Sequence, residues 1–355
     1  MVRTQSGPSD GRGRASDRPK MRDVAHLASV SIQTVSNFVN GRHDQMSEDT
    51  LAKVAAAMET LQYRTNVAAA SLRSQRVRTI AFLVLDEHVA FLADPLTVLL
   101  LAGAGDVARD HGYSVLVQGG CPDQLNGDFL SPLFEGRADG AVIQLSGPRA
   151  VRRETIEMAS SAGLSIVVVD ETGLGADVMG VRAQQETGAR RLAEFLIEAG
   201  HVRIGFIGAA VPWAVVEQRL AGFRTAMRRA GLRVDPDLIL LEATYQARDG
   251  EIPARRLLES KNPPTAIMCA TDLLAAGAMR AARTLGLDVP RDVAVTGFND
   301  FEFSEYLQPP LTTVRVPAYE MGRTAATMLI SAIEDRTPSE QTAVFPTELV
   351  LRGST

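Results

Sequence analysis

Residues 30–41 read VSIQTVSNFVNG. Val35, Phe38 and Val39 recur at i, i+3 and i+4, the spacing of one helical face. Ser31 supplies an N-cap hydroxyl, and NGRHD beyond the helix is turn chemistry. Upstream, Met21, Val24, Ala25 and Ala28 follow the same 3–4 spacing and break at ASVS. Downstream, Ser47 caps a third helix whose first turn holds Glu48 and Asp49, where the helix dipole favours acid. The expected buried face of that helix is Leu51, Val54, Ala55, Met58 and Leu61. Three short helices with a tight turn between the first two meet the needs of a helix-turn-helix. A small helical bundle with a solvated polar face satisfies the same spacing.

The spacing leaves Ile32, Gln33, Ser36 and Asn37 off the buried face of the second helix. Gln33 and Asn37 are four apart and share a side. Either amide can pair bidentately with adenine in the major groove, and Ile32 can touch a thymine methyl. Ser31, Thr34, Ser36 and Asn40 are short donors suited to phosphate oxygens, which position a helix without reading sequence. Residues 66–73, NVAAASLR, are too few to hold helix alone in water, so they form a linker or fold on a partner. Their one large apolar side chain, Leu72, can wedge into a minor groove in a two-fold dimer.

The chain has 355 residues and a net charge of −5, unevenly spread. Residues 1–78 carry 12 Lys and Arg against 7 acids, a net +5, while the remainder carries 25 against 35. A basic head on an acidic body fits a nucleic-acid module joined to something else. Residues 1–19 are rich in Gly, Ser, Pro and Arg and are expected to be a disordered tail. No apolar run reaches membrane-spanning length, and the N-terminus lacks a signal-peptide core, which predicts a cytoplasmic, nucleoid-associated protein without a membrane partner. Cys121 and Cys269 lack metal-ligand spacing and read as buried thiols.

After Arg78 strands alternate with amphipathic helices. The expected strands are 79–85, 114–118, 140–145, 165–169, 203–207, 265–269 and 293–297, with helices such as 184–199 and 215–230 between them. Such repetition predicts parallel sheets with helices on both faces, and the number of units predicts two lobes. Ligands bind such folds in a cleft at the carboxyl ends of the strands. The polar residues there are Asp86, Gln144, Asp170, Thr271, Asp272, Asn299 and Asp300, each of which also suits a helix cap or turn. The sequence holds no metal-spaced cluster, glycine-rich phosphate loop or GxSxG, and His88, His111 and His201 lie in different units. No enzyme, metal or cofactor is therefore expected.

The segments RDVAHLASVSIQTVSNFVNG and MSEDTLAKVAAAMETLQYRTNVAAASLRS resemble the lactose-repressor (LacI/GalR) family of bacterial transcription regulators. The resemblance runs from about Lys20 to the C-terminus. It implies base-reading roles for Ile32, Gln33 and Asn37, the last at a position where well-known members carry arginine. It implies phosphate or hinge-anchoring contacts for Ser31, Thr34, Ser36, Asn40, Ser47, Thr50, Tyr63 and Asn66. It makes Leu72 an intercalating hinge residue and Ala69 its minor-groove neighbour. Further along, VEQRLAGFRTAM and ATDLLAAGAMRAARTLGLDVPRDVAVTGFNDFEFSEYLQPPLTTVR resemble the family's effector domain, itself similar to periplasmic sugar-binding proteins. There the resemblance implies effector contacts for Gln144, Asp170, Trp213, Arg219, Tyr245, Thr271 and Asn299. Arg219 matches the effector-clamping arginine and Tyr245 an aromatic stacking position. Asn299 stands where aspartate is frequent, Thr271 where asparagine is common, and Trp213 where a small polar residue is usual.

The expected organisation is a tail (1–19), a helix-turn-helix domain (20–64), a hinge (65–78) and a two-lobed α/β domain (79–355) like a periplasmic binding protein. The first lobe takes 79–182 and 318–345, and the second 183–314 and 346–355. FPTELVLRGST, without a heptad tail, favours a dimer over a tetramer. The expected function is a homodimeric repressor that binds pseudo-palindromic double-stranded operator DNA and answers to a small-molecule effector, by family a sugar. An activator of the same family, a transport receptor and an enzyme on a doubly wound fold are its rivals.

Overall fold

A computed structural model describes residues 19–39, 42–63, 76–86, 91–120, 128–210, 213–243, 246–336 and 340–355. Two compact units divide the chain, residues 1–75 and 76–355.

In the first unit, helix α1 (Met21–Leu27), α2 (Ile32–Val39) and α3 (Glu48–Thr60) enclose a small core around Val24, Ala25, Val35, Val54 and Ala57. Each helix begins on a local cap. Asp23 accepts from the Lys20 amide, Ser31 Oγ from Thr34 N–H (3.0 Å) and Ser47 Oγ from Thr50 N–H (3.3 Å). The chain turns between α1 and α2 at Ser29 with φ +54°. Two expectations need correction. Ala55 is exposed and Ala57 occupies the core, because the face of α3 that meets α1 and α2 runs through Val54 and Ala57. Ser36 is buried rather than facing outward, since it sits beside Val35 on the packed side of α2.

The second unit holds two parallel sheets. The six-stranded sheet has the order β11-β5-β4-β3-β1-β2, built from β1 (Thr79–Leu85), β2 (Ser114–Gly120), β3 (Gly140–Leu145), β4 (Ile166–Val169), β5 (Met179–Ala183) and β11 (Thr342–Phe345). The four-stranded sheet has the order β7-β6-β8-β9, from β6 (Ile204–Ala209), β7 (Ile239–Ala243), β8 (Ala266–Cys269) and β9 (Ala294–Thr296). A short antiparallel pair, β10 (Thr313–Arg315) with β12 (Glu348–Val350), lies where the chain crosses between lobes. All seven expected strands form, two with the expected bounds and the others with ends moved by one or two residues. β12 lies in FPTELVLRGST, which resembles the family's final strand, whereas β5, β7, β10 and β11 escaped the sequence reading because they span only three to five residues each and none carries a long β-branched run.

The helices are α4 (Pro95–Asp110), α5 (Ser131–Phe134), α6 (Arg149–Ser161), α7 (Gln185–Glu198), α8 (Ala214–Arg229), α9 (Ala247–Leu258), α10 (Asp272–Thr284), α11 (Phe303–Tyr306) and α12 (Ala318–Ile333). Cys269 is buried in β8, and Cys121 lies outside the described residues. Among the described residues no helix is long and apolar enough to cross a membrane.

α4 and α12 pack backbone to backbone through reciprocal glycines. A Cβ added at Gly322 would lie 2.0 Å from Leu100 O, and one at Gly103 would lie 2.0 Å from Tyr319 O. Neither obstacle can swing away, so the helices would have to separate. Gly322→Ala is expected to lower stability by about 1–3 kcal/mol, the usual penalty of overpacking. Urea unfolding would show a lower midpoint, and an unchanged midpoint would contradict the close packing.

Candidate functional site

On the first unit α2 presents the candidate nucleic-acid surface. Ile32 is 54% exposed and Gln33 is exposed beside it. Gln33 Nε2 donates to Asn37 Oδ1 at 2.9 Å, so the two amides are already aligned on one side of the helix. Ser31 and Thr34 share a hydroxyl–hydroxyl bond (2.8 Å), as do Ser47 and Thr50 (2.9 Å). Each pair marks the start of a helix, where N–H groups and the dipole favour an anion. The hydroxyls expected to reach phosphate therefore double as caps. Tyr63 is half-buried at the end of α3, where its amide bonds to Met58 O. Asn40, Asn66, Ala69 and Leu72 lie outside the described residues.

In the second unit the carboxyl ends of the two sheets face a cavity of about 400 Å³. Gln144, Asp170, Trp213, Arg219, Thr271 and Asn299 all line it, and Tyr245 lies outside the described residues. Gln144 belongs to β3 and Asp170 follows β4, so both come from the six-stranded lobe. Trp213, Arg219 on α8, Thr271 after β8 and Asn299 after β9 come from the other.

Arg219 is the anchor of this wall, with 1% of its surface exposed. Its Nε donates to Gln185 Oε1 at 3.0 Å, Nη1 to Ala270 O, and Nη2 to Asn299 Oδ1 at 2.8 Å. The guanidinium carbon lies 3.9 Å from the centre of the Phe298 ring, a cation–π distance. Gln185 turns its other end to Asp170, donating from Nε2 to both carboxylate oxygens at 3.3 Å. Ala183 N–H adds a third bond to Asp170 at 2.9 Å. The result is a chain Asp170–Gln185–Arg219–Asn299 running from one lobe into the other. Asp170 and Asn299 both hold positive φ, at +58° and +115°. Such backbone suits Asn and Asp better than branched residues.

Thr97 Oγ1 lies 3.0 Å from Gln144 Oε1 and 3.2 Å from Asp94 Oδ2, and its single hydrogen serves one of them at a time. Asp94 caps α4, accepting from Leu96 N–H at 3.2 Å, and also lines the cavity. Thr271 caps α10 by accepting from Leu274 N–H at 3.2 Å and also lines the cavity. Burial raises the Asp94 carboxyl above the ordinary range, against the bonds from Leu96 and Thr97 and the field of Arg219.

Asp86 also lines the cavity, but Asp272 and Asp300 do not. Asp272 is consumed inside the second lobe, accepting from Phe301 N–H (2.8 Å) and Thr313 Oγ1 (2.5 Å). Asp300 pairs with Arg315 (2.8 Å) and Arg352 (2.7 Å) beside the β10–β12 crossover. The sequence reading missed Phe91, Asp94, Thr97, Gln185 and Gln246. Phe91 sits in a 3-10 turn (Phe91–Ala93), Asp94 and Thr97 at the start of α4, and Gln185 opens α7, all away from the strand tips. Two further contacts cross between the lobes. Arg152 of α6, buried against Glu171, donates to Glu217 of α8 at 3.1 Å, and Gln218 Nε2 donates to Asp170 O at 3.1 Å. Among the described residues no group of three or more His, Cys, Asp and Glu is placed to hold a metal.

Residues 20–66 match the family described as bacterial regulatory proteins, lacI family, and residues 193–355 match a periplasmic binding protein-like domain. The chain is 32% identical to the HTH-type transcriptional regulator RegA of Clostridium saccharobutylicum over 94% of its own length and 98% of the relative's. It is 31% identical to the ribose operon repressor of Haemophilus influenzae, with coverage of 94% and 98%. Among solved structures it is similar to the lac repressor dimer bound to operator and an anti-inducer, with a TM-score of 0.82, 26% identity and coverage of 96% and 99%.

Burial pushes the Asp170 carboxyl upward, opposed by its bonds from Ala183 and Gln185 and by Arg219. A carboxyl whose pKa is raised by folding binds its proton more tightly in the native state. It therefore becomes a penalty as pH climbs from the unfolded value, about 3.9, through the native one. Asp170→Asn removes that penalty. The difference in melting temperature, variant minus wild type, is expected to grow as pH rises through this window, and a constant difference would contradict it.

Proposed function

The chain belongs to the LacI family of bacterial regulatory proteins, and from that premise we propose how its two units act as a ligand-responsive, sequence-specific transcriptional repressor. It is a regulator of transcription, not an enzyme. It acts as a cytoplasmic, nucleoid-associated homodimer on a pseudo-palindromic operator. Each α2 reads a half-site with Ile32, Gln33 and Asn37, while Ser31, Thr34, Asn40, Ser47, Thr50, Tyr63 and Asn66 hold phosphates. The paired hinges, residues 65–78, bring Leu72 and Ala69 to the central minor groove. We assign 79–182 with 318–345 to one lobe and 183–314 with 346–355 to the other, and the separation into two sheets supports this reading.

The observation that carries the ligand-responsive half is the convergence of six expected contact residues, drawn from both lobes, on one cavity. A ligand touching both lobes favours one arrangement of them over another. Only such differential affinity can shift an equilibrium. The repressor relatives and a family structure from Enterococcus faecium with bound ribose support a sugar or sugar-like effector.

Selection of bound DNA from a random pool, repeated with sugars present, tests this reading. An enriched two-fold site whose recovery changes with a sugar is expected, with adenine favoured opposite Asn37 by about 1–3 kcal/mol. Failure to enrich any site would overturn it. Arg219→Ala is expected to abolish the sugar's effect on operator affinity in gel shifts, and a full response would remove Arg219 from the site. Leu72→Ala is expected to weaken operator binding more than random-DNA binding, and equal losses would defeat the wedge.

A further inference from the structure

The outer face of α2 carries no charge. Its sequence, IQTVSNFV, holds no lysine or arginine. Ser36 is buried and Thr34 Oγ1 is bonded to Ser31 Oγ, which leaves the carboxamides of Gln33 and Asn37 as its polar readers. A carboxamide on a flexible stem discriminates poorly, because a half-turn of its end exchanges acceptor for donor. A glutamine free to turn in this way suits guanine, whose O6 and N7 both accept, as well as adenine, whose N6 donates beside N7.

That half-turn is restrained in this helix. Gln33 Nε2 donates to Asn37 Oδ1 at 2.9 Å, and exchanging the ends of one amide alone would set two like atoms against each other. The polarities of the two side chains are therefore linked. Asn37 is half-buried on a short stem, whereas Gln33 is exposed on a longer one, so Asn37 holds and Gln33 is held. Nε2 keeps its second hydrogen, and among the described residues nothing donates to Gln33 Oε1. Gln33 thus offers an acceptor with a donor beside it, the complement of adenine's N6 and N7. Guanine would leave Oε1 facing another acceptor.

We propose that Gln33 and Asn37 read the operator as one unit, in which Asn37 is the positioning residue that fixes the polarity of Gln33 and so commits it to adenine. This rests on α2 being the reading helix of a regulator. Asn37 Oδ1 carries two lone pairs, so holding Gln33 is compatible with meeting a base of its own. A change at position 37 therefore alters the preference at two base pairs, its own and the one that Gln33 meets. Ordering a flexible side chain on binding commonly costs about two- to tenfold in affinity, and a side chain held beforehand avoids that loss.

The test uses the full-length protein and selects bound DNA from a random pool with the wild type, Gln33→Ala, Asn37→Ala and Asn37→Asp. The base pair whose preference Gln33→Ala abolishes is the one that Gln33 meets, and adenine is expected there in the wild type. Competition gel shifts with each of the four bases at that pair then measure the preference in every variant. Asn37→Ala, with Gln33 still present, is expected to shrink it by about two- to tenfold. Asn37→Asp keeps an oxygen that accepts from Nε2, so it is expected to retain the preference even as its charge weakens binding to DNA overall. General damage to the helix would not spare one substitution and penalise the other. Alanine favours helix more than asparagine does, and thermal melting followed by circular dichroism checks that both variants fold. A base other than adenine opposite Gln33 would overturn the proposal. So would a preference left intact in Asn37→Ala, or one lost equally in Asn37→Asp. Any of these outcomes on an enriched operator would overturn this proposal alone, whereas absence of any enriched operator would overturn the regulator reading on which it rests.

Discussion

A buried guanidinium governs the effector domain. Taking a charge out of water is expensive unless hydrogen bonds replace the solvent. Arg219 meets that demand with Gln185 at the start of α7, Ala270 at the end of β8 and Asn299 after β9, over the face of Phe298. Those acceptors come from separated parts of the chain, so satisfying one side chain fixes the mutual positions of the segments that form the cavity wall. The φ of +115° at Asn299 and the bond from its amide to Val314 O belong to the same arrangement. Through Gln185 the constraint extends to Asp170 and hence to the other lobe.

The lobes touch around this cavity through contacts of a second kind. The Arg152–Glu217 pair and the Gln218–Asp170 bond are polar, and Glu217 is partly solvated. The helix pairs inside each lobe, such as α4 with α12, are locked by glycine contacts. Each lobe is thus packed tightly within itself, while polar side chains bridge the two lobes beside the cavity. Helices α1–α3 need nothing comparable. Local caps and a handful of buried side chains hold that surface, and Gln33 and Asn37 brace each other through a side-chain hydrogen bond.

The readable parts of the molecule are those whose signals are local. Ser31 and Ser47 were identified as caps because a cap is a matter of three residues, and the strands were visible as apolar runs. Gln144, Asp170, Thr271 and Asn299 were within reach because strand tips in such folds face a cleft. Asp272 and Asp300 share that position in sequence, yet one is spent on Phe301 and Thr313 and the other on Arg315 and Arg352. No local signal distinguishes these fates, since the deciding partners lie up to 52 positions away, as for Asp300 and Arg352. Gln185, which joins Arg219 to Asp170, carries no local signal of that role for the same reason. Ser36 and Ala55 failed differently. Periodicity places a face to within a residue, and the neighbouring helices choose which residue is buried.

The sequence by itself determined the three capped helices of the head, the alternation of strands and helices in the body, the basic head on an acidic body, and the family those motifs point to. These follow from propensity, period and charge, which act over a few residues. Tertiary structure decided which polar side chains reach the cavity, which way the Asn299 amide faces, and how one arginine ties the wall together. An amide's orientation depends on whichever donor arrives at its oxygen. At Asn299 that donor is Arg219, 80 positions earlier in the chain.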